Sequence, residues 1–202
     1  MKYPRTPHLP FSPGLSKQEK VCKNLSFLKQ DVVITEKRDG SNVCLADTGL
    51  FARSHSGSPT HSSFDWLKVK YDCVKSLIPE DTFIFGEWLY AKHSIHYTAL
   101  KDYLEVFAVC TNNTFLSWED TEKFCTDRNF MMVPLIFKGR TTIKDIAKYC
   151  VGNEHKEGIV VRAARSFSLE EFSSCVAKWV RPNHVQTTEH WTNQKITRNL
   201  LV

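Results

Sequence analysis

The chain has 202 residues, of which 42% are hydrophobic and 12% aromatic. This is enough apolar surface for one substantial core, and it excludes a largely disordered protein. The formal net charge of +5 is compatible with a polyanionic partner, but it does not by itself indicate one.

We expect one domain over residues 1–202, with residues 1–30 as an N-terminal arm packed on it and residues 182–202 as a C-terminal tail. Residues 3–14 are rich in proline, serine and glycine, which predicts irregular structure. A flexible tail is the alternative, but the apolar residues between the prolines favour an arm that packs.

The turn signal Lys37-Arg38-Asp39-Gly40 lies between two apolar runs. Residues 32–35 are β-branched or apolar and residues 43–46 are again apolar, so strand, turn and strand are predicted. Further strands are predicted over residues 82–90, 103–110, 131–137, 158–163 and 176–180.

Three helices are predicted from apolar spacings of three and four and from capping residues. The first covers residues 62–78, with Ser62 or Ser63 as its cap, and the second runs over residues 117–128. The third is short, with Thr142 as its N-cap and Gly152 as its stop. Because strands outnumber helices and do not alternate with them regularly, an α+β domain built on antiparallel sheets fits better than a doubly wound parallel one.

The seven cysteines are scattered and have no Cys-x-x-Cys or Cys/His ligand spacing, so neither a zinc site nor a disulfide framework is indicated. Cys44 and Cys110 lie in apolar runs, where a thiol acts as a small buried hydrophobe. No segment has the length and hydropathy of a signal peptide or a membrane span. These features predict a protein of a reducing intracellular compartment that is not secreted and does not associate with a membrane.

Lys37 follows a predicted strand, which would hold its amine in a fixed position. A free lysine has a pKa of about 10.4, so a nucleophilic lysine needs cationic neighbours, a metal ion or desolvation to lower that pKa. Candidate cationic neighbours are Arg38, Arg53, Lys178 and Arg181. Taken alone, however, Lys-x-Asp-Gly favours a β-hairpin with a surface lysine.

Five segments in this order resemble motifs I, Ia, III, IV and V of the covalent nucleotidyltransferases, the superfamily of DNA ligases, RNA ligases and mRNA capping enzymes. They are residues 36–42 (EKRDGSN), 51–54 (FARS), 85–88 (FGEW), 157–162 (EGIVVR) and 177–181 (AKWVR). The N-terminal YPRTPHLPFSPG, residues 86–97 (GEWLYAKHSIHY) and residues 181–191 (RPNHVQTTEHW) are similar to RNA ligases of the phage RNA-repair type.

The resemblance implies a ligase adenylation domain, in which two antiparallel sheets flank a nucleotide pocket. Only a short stretch follows Arg181, so we expect no OB-fold domain after it. The implied reaction has three steps: Lys37 takes AMP from ATP, the AMP passes to an RNA 5′-phosphate, and a 3′-hydroxyl displaces it. The expected partner is RNA with such ends, including nicked duplexes, and the expected oligomeric state is a monomer.

The resemblance also implies residue roles. Lys37, Asn42, Lys178 and Arg181 would carry the catalysis, with Lys178 and Arg181 neutralising phosphate charge in a division of labour that the sequence leaves open. Glu157 would engage Mg²⁺ or Mn²⁺. The residues expected to contact the nucleotide are Glu36, Lys37, Asp39, Arg53, Glu87, Phe107 and Lys178.

Two of these nucleotide contacts have a specific chemical basis. Glu87 shares a predicted strand face with two phenylalanines, where an idle carboxylate is costly, and it would accept a hydrogen bond from a ribose hydroxyl. Phe107 would stack on adenine, but core packing is an equally reasonable role, and Tyr103 is an alternative stacking residue.

Three other functions stay open at this point. A minimal DNA ligase and a GTP-using capping-type enzyme would share the same motifs, and a nucleic-acid end-binding module could keep the fold without catalysis. Labelling of the protein by ATP, but not by GTP, would separate an RNA or DNA ligase from the capping enzyme.

Overall fold

The structure, a computed structural model, describes residues 1–15, 19–53, 57–151, 155–184 and 196–202. The strands are β1 (Val32–Lys37), β2 (Ser41–Ala46), β3 (Gly49–Ala52), β4 (Thr82–Trp88), β5 (Leu104–Thr111), β6 (Thr114–Phe115), β7 (Met131–Met132), β8 (Leu135–Gly139), β9 (Gly158–Ala163), β10 (Phe167–Ser168) and β11 (Val176–Val180). The α-helices are α1 (Asp65–Val74), α2 (Trp118–Asp127) and α3 (Ile143–Lys148).

The strands form two sheets. The first has the order β11-β9-β1-β8, and the second has the order β10-β6-β5-β4-β2-β3. All of these neighbours pair antiparallel, whereas β7 joins β5 in parallel. The predicted α+β fold with two antiparallel sheets is therefore confirmed, with β5–β7 as a local exception.

The segment after Lys37 connects the two sheets and does not form a hairpin. β1 pairs with β8 and β9, whereas β2 pairs with β3 and β4. A Cβ atom on Gly40 would lie 2.6 Å from the Trp88 carbonyl oxygen, so a glycine is needed there for close approach to β4. The hairpin with a surface lysine is wrong for this segment.

The predicted helices form with modified ends. Ser117 caps α2 by accepting from the amide of Asp120 at 3.1 Å, and Thr142 caps α3 in the same way. The first helix is divided into α1 and two flanking 3₁₀ turns, Ser62–Phe64 and Lys75–Leu77, and its cap is the His61 side chain rather than a serine. Gly152, the predicted stop of the third helix, lies outside the described residues.

Short strands were the main elements that the sequence pattern did not predict: β3, β6 and β10. Asn112 and Asn113 both have positive φ, at 51° and 60°, and they form the two-residue turn that joins β5 to β6. The extended run predicted over residues 131–137 is divided into β7 and β8. Pro134 lies between the two strands, and its carbonyl accepts from the amide of Glu36 at 2.9 Å.

The described part of the N-terminal arm packs along β11, the edge strand of the first sheet. The Leu9 amide donates to the Lys178 carbonyl at 2.7 Å, and the Lys178 amide donates to the Pro7 carbonyl at 2.9 Å. Leu9 is 1% exposed. These described residues of the arm cover an otherwise open sheet edge.

The main apolar core lies against the first sheet and includes one face of β4 and β5. Cys44 and Cys110 belong to it as predicted, at 1% and 0% exposure, and all seven cysteines are free thiols. A second core packs α1 against the other face of β4 and β5. Among the described residues, no helix combines the length and hydropathy that a bilayer span requires.

Candidate active site

Lys37 lies at the end of β1, where the two sheets approach each other. Its Nζ donates to Oε2 of Glu157 at 2.8 Å, and the two side chains are 24% and 9% exposed. Glu157 immediately precedes β9, whose first residue, Gly158, is the register partner of Lys37. A Cβ atom on Gly158 would lie 1.9 Å from the Trp179 carbonyl oxygen, so a glycine is required for β9 and β11 to pair at this point.

The second sheet carries Asn42 and Glu87, and the charge of Glu87 acts on Lys37. Asn42 and Glu87 are register partners on β2 and β4 and therefore lie on the same face of the sheet. Phe85 lies on that face too and belongs to the main core. Oε1 of Glu87 accepts from the amide of Gly40 at 3.2 Å. Burial raises the pKa of the Glu87 carboxyl to about 8, whereas the nearby Lys37 ammonium acts in the opposite direction.

The pKa of Lys37 is raised in this structure. Burial alone would lower it, but the charges of Glu157, Glu87 and Asp39 and the hydrogen bond to Glu157 act more strongly in the other direction. The expectation that cationic neighbours lower this pKa is therefore wrong for the nucleotide-free arrangement. The physical reason is that three acidic residues surround the amine.

Arg38, the next residue, makes a separate and more extensive set of ion pairs. Its Nε and Nη2 donate to the two carboxylate oxygens of Glu105 at 2.6 and 2.9 Å, and its Nη1 donates to Glu36 at 2.7 Å. Glu36 also lies 3.6 Å from Nζ of Lys156. Arg38 thus does not supply free positive potential to Lys37, and the Glu36 carboxylate, expected to contact the nucleotide, is engaged by two cations.

Asp39 anchors the connecting segment to residues 94–97. Its Oδ2 accepts from the amides of Ser94 and Ile95 at 2.7 and 2.9 Å. Its own amide donates to the Tyr97 hydroxyl at 3.0 Å, and the Tyr97 ring lies 4.8 Å from the Arg38 guanidinium carbon. Asp39 therefore fixes the backbone that follows Lys37, and its role in this structure is to support that segment.

Lys178 lies on β11, on the face of the first sheet that carries Lys37. Lys178 pairs in register with Val160, and Val160 pairs with Thr35, two residues before Lys37. The Lys178 Nζ donates to Oε1 of Glu19 at 2.6 Å. The N-terminal arm therefore contributes a carboxylate partner to a lysine expected to bind phosphate, which the sequence did not indicate.

Arg181 is held beside Glu157 by backbone contacts. Its amide donates to the Glu157 carbonyl at 3.0 Å, and its Nε donates to the Lys156 carbonyl at 2.9 Å. The structure thus places Arg181 against the motif that contains Glu157, and Lys178 against the arm. Arg53 follows β3 and is exposed.

Phe107 is partly buried and packs against the main core and against a small cluster around Trp118. The Tyr3 ring of the N-terminal arm meets it edge-on, with 5.0 Å between the ring centroids. Phe107 lies in β5 where the register with β4 shifts between Phe85 and Gly86. Packing is therefore observed for this residue, and stacking on adenine stays a prediction.

A cavity of about 540 Å³ adjoins the site. Its described lining consists of Arg38, residues 94–100, His155 and Arg181, so its ionisable lining groups are basic apart from Tyr97. Arg38 is already paired with Glu105 and Glu36, whereas Arg181 and the two histidines offer this open space N–H donors that suit a phosphorylated ligand.

The fit to a divalent cation rests on Glu157. No group of three or more His, Cys, Asp or Glu side chains that could hold a metal ion occurs in the described part of the chain. Mg²⁺ keeps several waters and needs only one or two carboxylates when substrate phosphates complete its shell. Glu157 therefore fits a cation that binds together with a nucleotide.

The residues that the sequence analysis missed are those that support the predicted ones: Tyr3, Glu19, Tyr97, Glu105 and Asn199. None belongs to an apolar repeat or a turn signal that would have indicated a role. Residues 86–97 are similar to RNA ligases of the phage RNA-repair type, but that resemblance assigns no function to Tyr97. Ser54 and residues 185–191, which also contributed to the resemblance, lie outside the described residues.

The sequence matches the RNA ligase family model over residues 30–180. No curated protein matches the chain in sequence. The matched range includes Lys37, Glu87, Glu157 and Lys178, and it ends just before Arg181.

Solved structures of ligases share the fold. An archaeal ATP-dependent RNA ligase has 17% identity and a TM-score of 0.56, covering 89% of this chain and 48% of that one. A putative ATP-dependent DNA ligase from Aquifex aeolicus has 17% identity and a TM-score of 0.55, covering 89% and 50%. A mutant of Naegleria gruberi RNA ligase with ATP and Mn has 14% identity and a TM-score of 0.57, covering 88% and 59%. The chain thus spans about half the length of these ligases, and the likeness concerns the fold.

Proposed function

The chain belongs to the RNA ligase family, and from this premise we propose that it joins RNA 3′-hydroxyl and 5′-phosphate ends at the expense of ATP through a lysyl-AMP at Lys37. The observation that carries the proposal is the pairing of Lys37 Nζ with Glu157 at 2.8 Å. Glu87 of the second sheet adds its charge to this pair, and the residues next in sequence to Lys37 and to the Glu157 segment, Arg38 and His155, line the basic cavity.

The first step forms a P–N bond between Lys37 Nζ and the α-phosphorus of ATP, breaks the α–β phosphoanhydride bond and releases pyrophosphate. The Lys37 ammonium must first lose a proton. Because Glu157 is the strongest anionic partner that stabilises this ammonium, a Glu157 carboxylate engaged elsewhere leaves Lys37 easier to deprotonate. A divalent cation held by Glu157 would neutralise phosphate charge.

In the second step an oxygen of the RNA 5′-phosphate attacks the same phosphorus, the P–N bond breaks, and AMP is transferred to the RNA end. In the third step the 3′-hydroxyl oxygen attacks the 5′-phosphate and AMP leaves. We assign to Lys178 and Arg181 the role of offsetting the charge that develops on phosphate in each step. Asn42 and Glu87 supply polar contacts from the opposite sheet.

The cavity lined by Arg38, His96, His155 and Arg181 is our proposed path for phosphate groups. It can take the pyrophosphate portion of ATP or the phosphate of the incoming RNA end, because both carry the same charged oxygens. Arg38 follows Lys37 directly, His155 lies two residues before Glu157, and the Arg181 amide donates to the Glu157 carbonyl at 3.0 Å, so the cavity opens close to the pair of Lys37 with Glu157.

The experiment that tests the function offers α-labelled ATP or GTP with Mg²⁺ to the protein and to Lys37→Ala. We expect ATP to label the protein, GTP to give little label, and Lys37→Ala to give none. Labelling by GTP alone would favour a capping-type enzyme, whereas absence of label would favour an end-binding module.

The substrate is tested by supplying the labelled protein with nicked duplex RNA, nicked DNA and single-stranded RNA. We expect sealing of an RNA substrate to exceed sealing of DNA. The opposite order would indicate a minimal DNA ligase, an outcome that the fold shared with the Aquifex aeolicus protein makes worth testing.

A further inference from the structure

The loop of residues 90–100, which holds Asp39, is itself held by the segment of residues 197–202. The Lys92 amide donates to the Thr197 carbonyl at 2.8 Å, and the Leu200 amide donates to the Tyr97 carbonyl at 2.9 Å. The Leu100 amide in turn donates to the Leu200 carbonyl at 2.9 Å. Residues 197–202 therefore run along the loop and fix its backbone at several points.

Asn199 is the central residue of this contact. It is 0% exposed. Its Oδ1 accepts from the Tyr97 amide at 2.9 Å, and its Nδ2 donates to the Leu89 carbonyl at 2.7 Å. Its amide donates to the Tyr90 carbonyl and its carbonyl accepts from the Tyr103 hydroxyl, at 3.0 and 2.9 Å. Both ends of its side chain are thus bonded to the backbone on either side of the loop.

Hydrogen bonds lead from Asn199 through Tyr97 to Asp39, two residues after Lys37. Asn199 fixes the backbone of Tyr97, whose hydroxyl accepts from the Asp39 amide at 3.0 Å. Two residues earlier in the loop, the Ser94 and Ile95 amides hold the Asp39 carboxylate. Asp39 lies two residues after Lys37, and its neighbour Gly40 donates to Glu87. The loop therefore braces the backbone that directly follows Lys37.

We propose that Asn199 is a positioning residue for Lys37, acting through Tyr97 and Asp39. This inference rests on the proposed function, because it assigns Asn199 to the lysyl-AMP step. An amide suits the position because it offers a donor and an acceptor together, and both are used. A nucleophile displaced by a fraction of an ångström from its line of attack loses rate even when the nucleotide still binds.

The test compares Asn199→Ala with Thr121→Ala in the full chain. Thr121 is also 0% exposed and loses one hydrogen bond, to Ser117, but it lies in α2, outside this hydrogen-bond network. At saturating ATP we expect the single-turnover rate of lysine labelling to fall about 30-fold in Asn199→Ala, and the ATP concentration for half-maximal rate to change less than about threefold. Thr121→Ala should leave both values close to those of the parent protein.

Amide hydrogen exchange provides a second readout that does not need activity. In Asn199→Ala the amides of Ser94, Ile95 and Asp39 should exchange at least about tenfold faster than in Thr121→Ala, whereas amides of β9 should not change. If the parent protein is not labelled by ATP, the proposed function fails, and this exchange pattern still decides whether Asn199 holds the loop.

The proposal is overturned if labelling rate and exchange in Asn199→Ala match those in Thr121→Ala, or if only the half-saturating ATP concentration changes. Should Asn199→Ala not fold, Tyr97→Phe gives the same decision. It keeps the ring and the amide bonded to Asn199 but removes the hydroxyl that accepts from Asp39. An unchanged labelling rate in Tyr97→Phe would overturn the route through Tyr97.

Discussion

Lys37 and Arg38 are adjacent in the chain, yet their ion pairs differ. Those of Lys37 suit a reacting side chain, and those of Arg38 suit a residue that stabilises the fold. Among the described residues, Lys37 has one direct carboxylate partner, at 2.8 Å, and its side chain is 24% exposed. Arg38 has three hydrogen bonds to two carboxylates, and its side chain is 13% exposed. A ligand can replace the single, partly exposed pair of Lys37 with Glu157, whereas the buried bidentate pair of Arg38 with Glu105 holds the backbone of both residues in place.

The largest effect on labelling, apart from loss of Lys37, is expected for Glu157→Gln. The change keeps the shape of the side chain but removes the charge that pairs with Lys37 and that would hold a cation. We expect the single-turnover labelling rate to fall about 10²-fold with little change in the denaturant midpoint. A fall in labelling rate accompanied by a clear fall in the denaturant midpoint would mean that Glu157 supports the fold and has no specific part in labelling.

The complementary change, Arg38→Met, should act mainly on stability. Glu105 is 3% exposed and would lose the partner of both its carboxylate oxygens. We expect the free energy of unfolding to fall by about 3 kcal/mol, measured by denaturant unfolding. Replacing both residues, Arg38→Met with Glu105→Met, should recover most of that loss, because no unpaired buried charge remains. A double variant as unstable as the single one would contradict this account of the pair.

Phe107→Leu tests whether the second sheet contributes a stacking surface as well as packing. Leucine retains apolar volume but offers no aromatic face. If adenine stacks here, the ATP concentration for half-maximal labelling should rise about tenfold, with stability changed by less than about 1.5 kcal/mol. A loss of stability without any change in the ATP requirement would leave Phe107 with the packing role alone.

The smallest effect is expected for Glu19→Gln, which weakens the contact of the N-terminal arm with Lys178. With the competing carboxylate gone, Lys178 should bind phosphate more readily, and the half-saturating ATP concentration should fall about threefold. Glu171→Gln is the matched control, since Glu171 pairs with Arg165 at an exposed site outside the Lys37 contacts described above. A rise in the ATP requirement would show that Glu19 supports Lys178 and does not compete with phosphate.

The sequence predicted strands and helices well where the pattern is continuous. The observed bounds of β9 and β11, Gly158–Ala163 and Val176–Val180, match the predicted ranges because each is an uninterrupted run between clear breaks. The sequence predicts Thr142 as an N-cap because its side chain acts within three residues along the chain. These are local effects, which one sequence can express.

The arrangement around Lys37 could not be predicted in the same way. The close approach of Gly40 to the Trp88 carbonyl and that of Gly158 to the Trp179 carbonyl both involve backbone that is distant in sequence. The support from Tyr97 and Asn199 joins irregular segments that lie about a hundred residues apart, at 2.9 Å. Hydrogen bonds between such segments leave no periodic pattern, so only the folded structure shows them.

The pKa of Lys37 is the clearest difference between what the sequence predicts and what the structure shows. The cationic residues in the sequence predict a lowered pKa for Lys37, but the charges that act on its amine in the structure are those of acidic residues. Arg38 and Lys178 are present but engaged by Glu105, Glu36 and Glu19. Composition identifies which charges exist, whereas the pKa depends on which of them face the amine.

The most direct test of the account is peptide mass spectrometry of the protein after incubation with ATP and Mg²⁺. We predict one adenylyl group on the peptide that contains Lys37, attached to the lysine side chain and lost in acid as a P–N bond would be. Adenylyl groups on another residue, or an unmodified Lys37 peptide under conditions in which RNA ends are sealed, would contradict the assignment of Lys37 as the nucleophile.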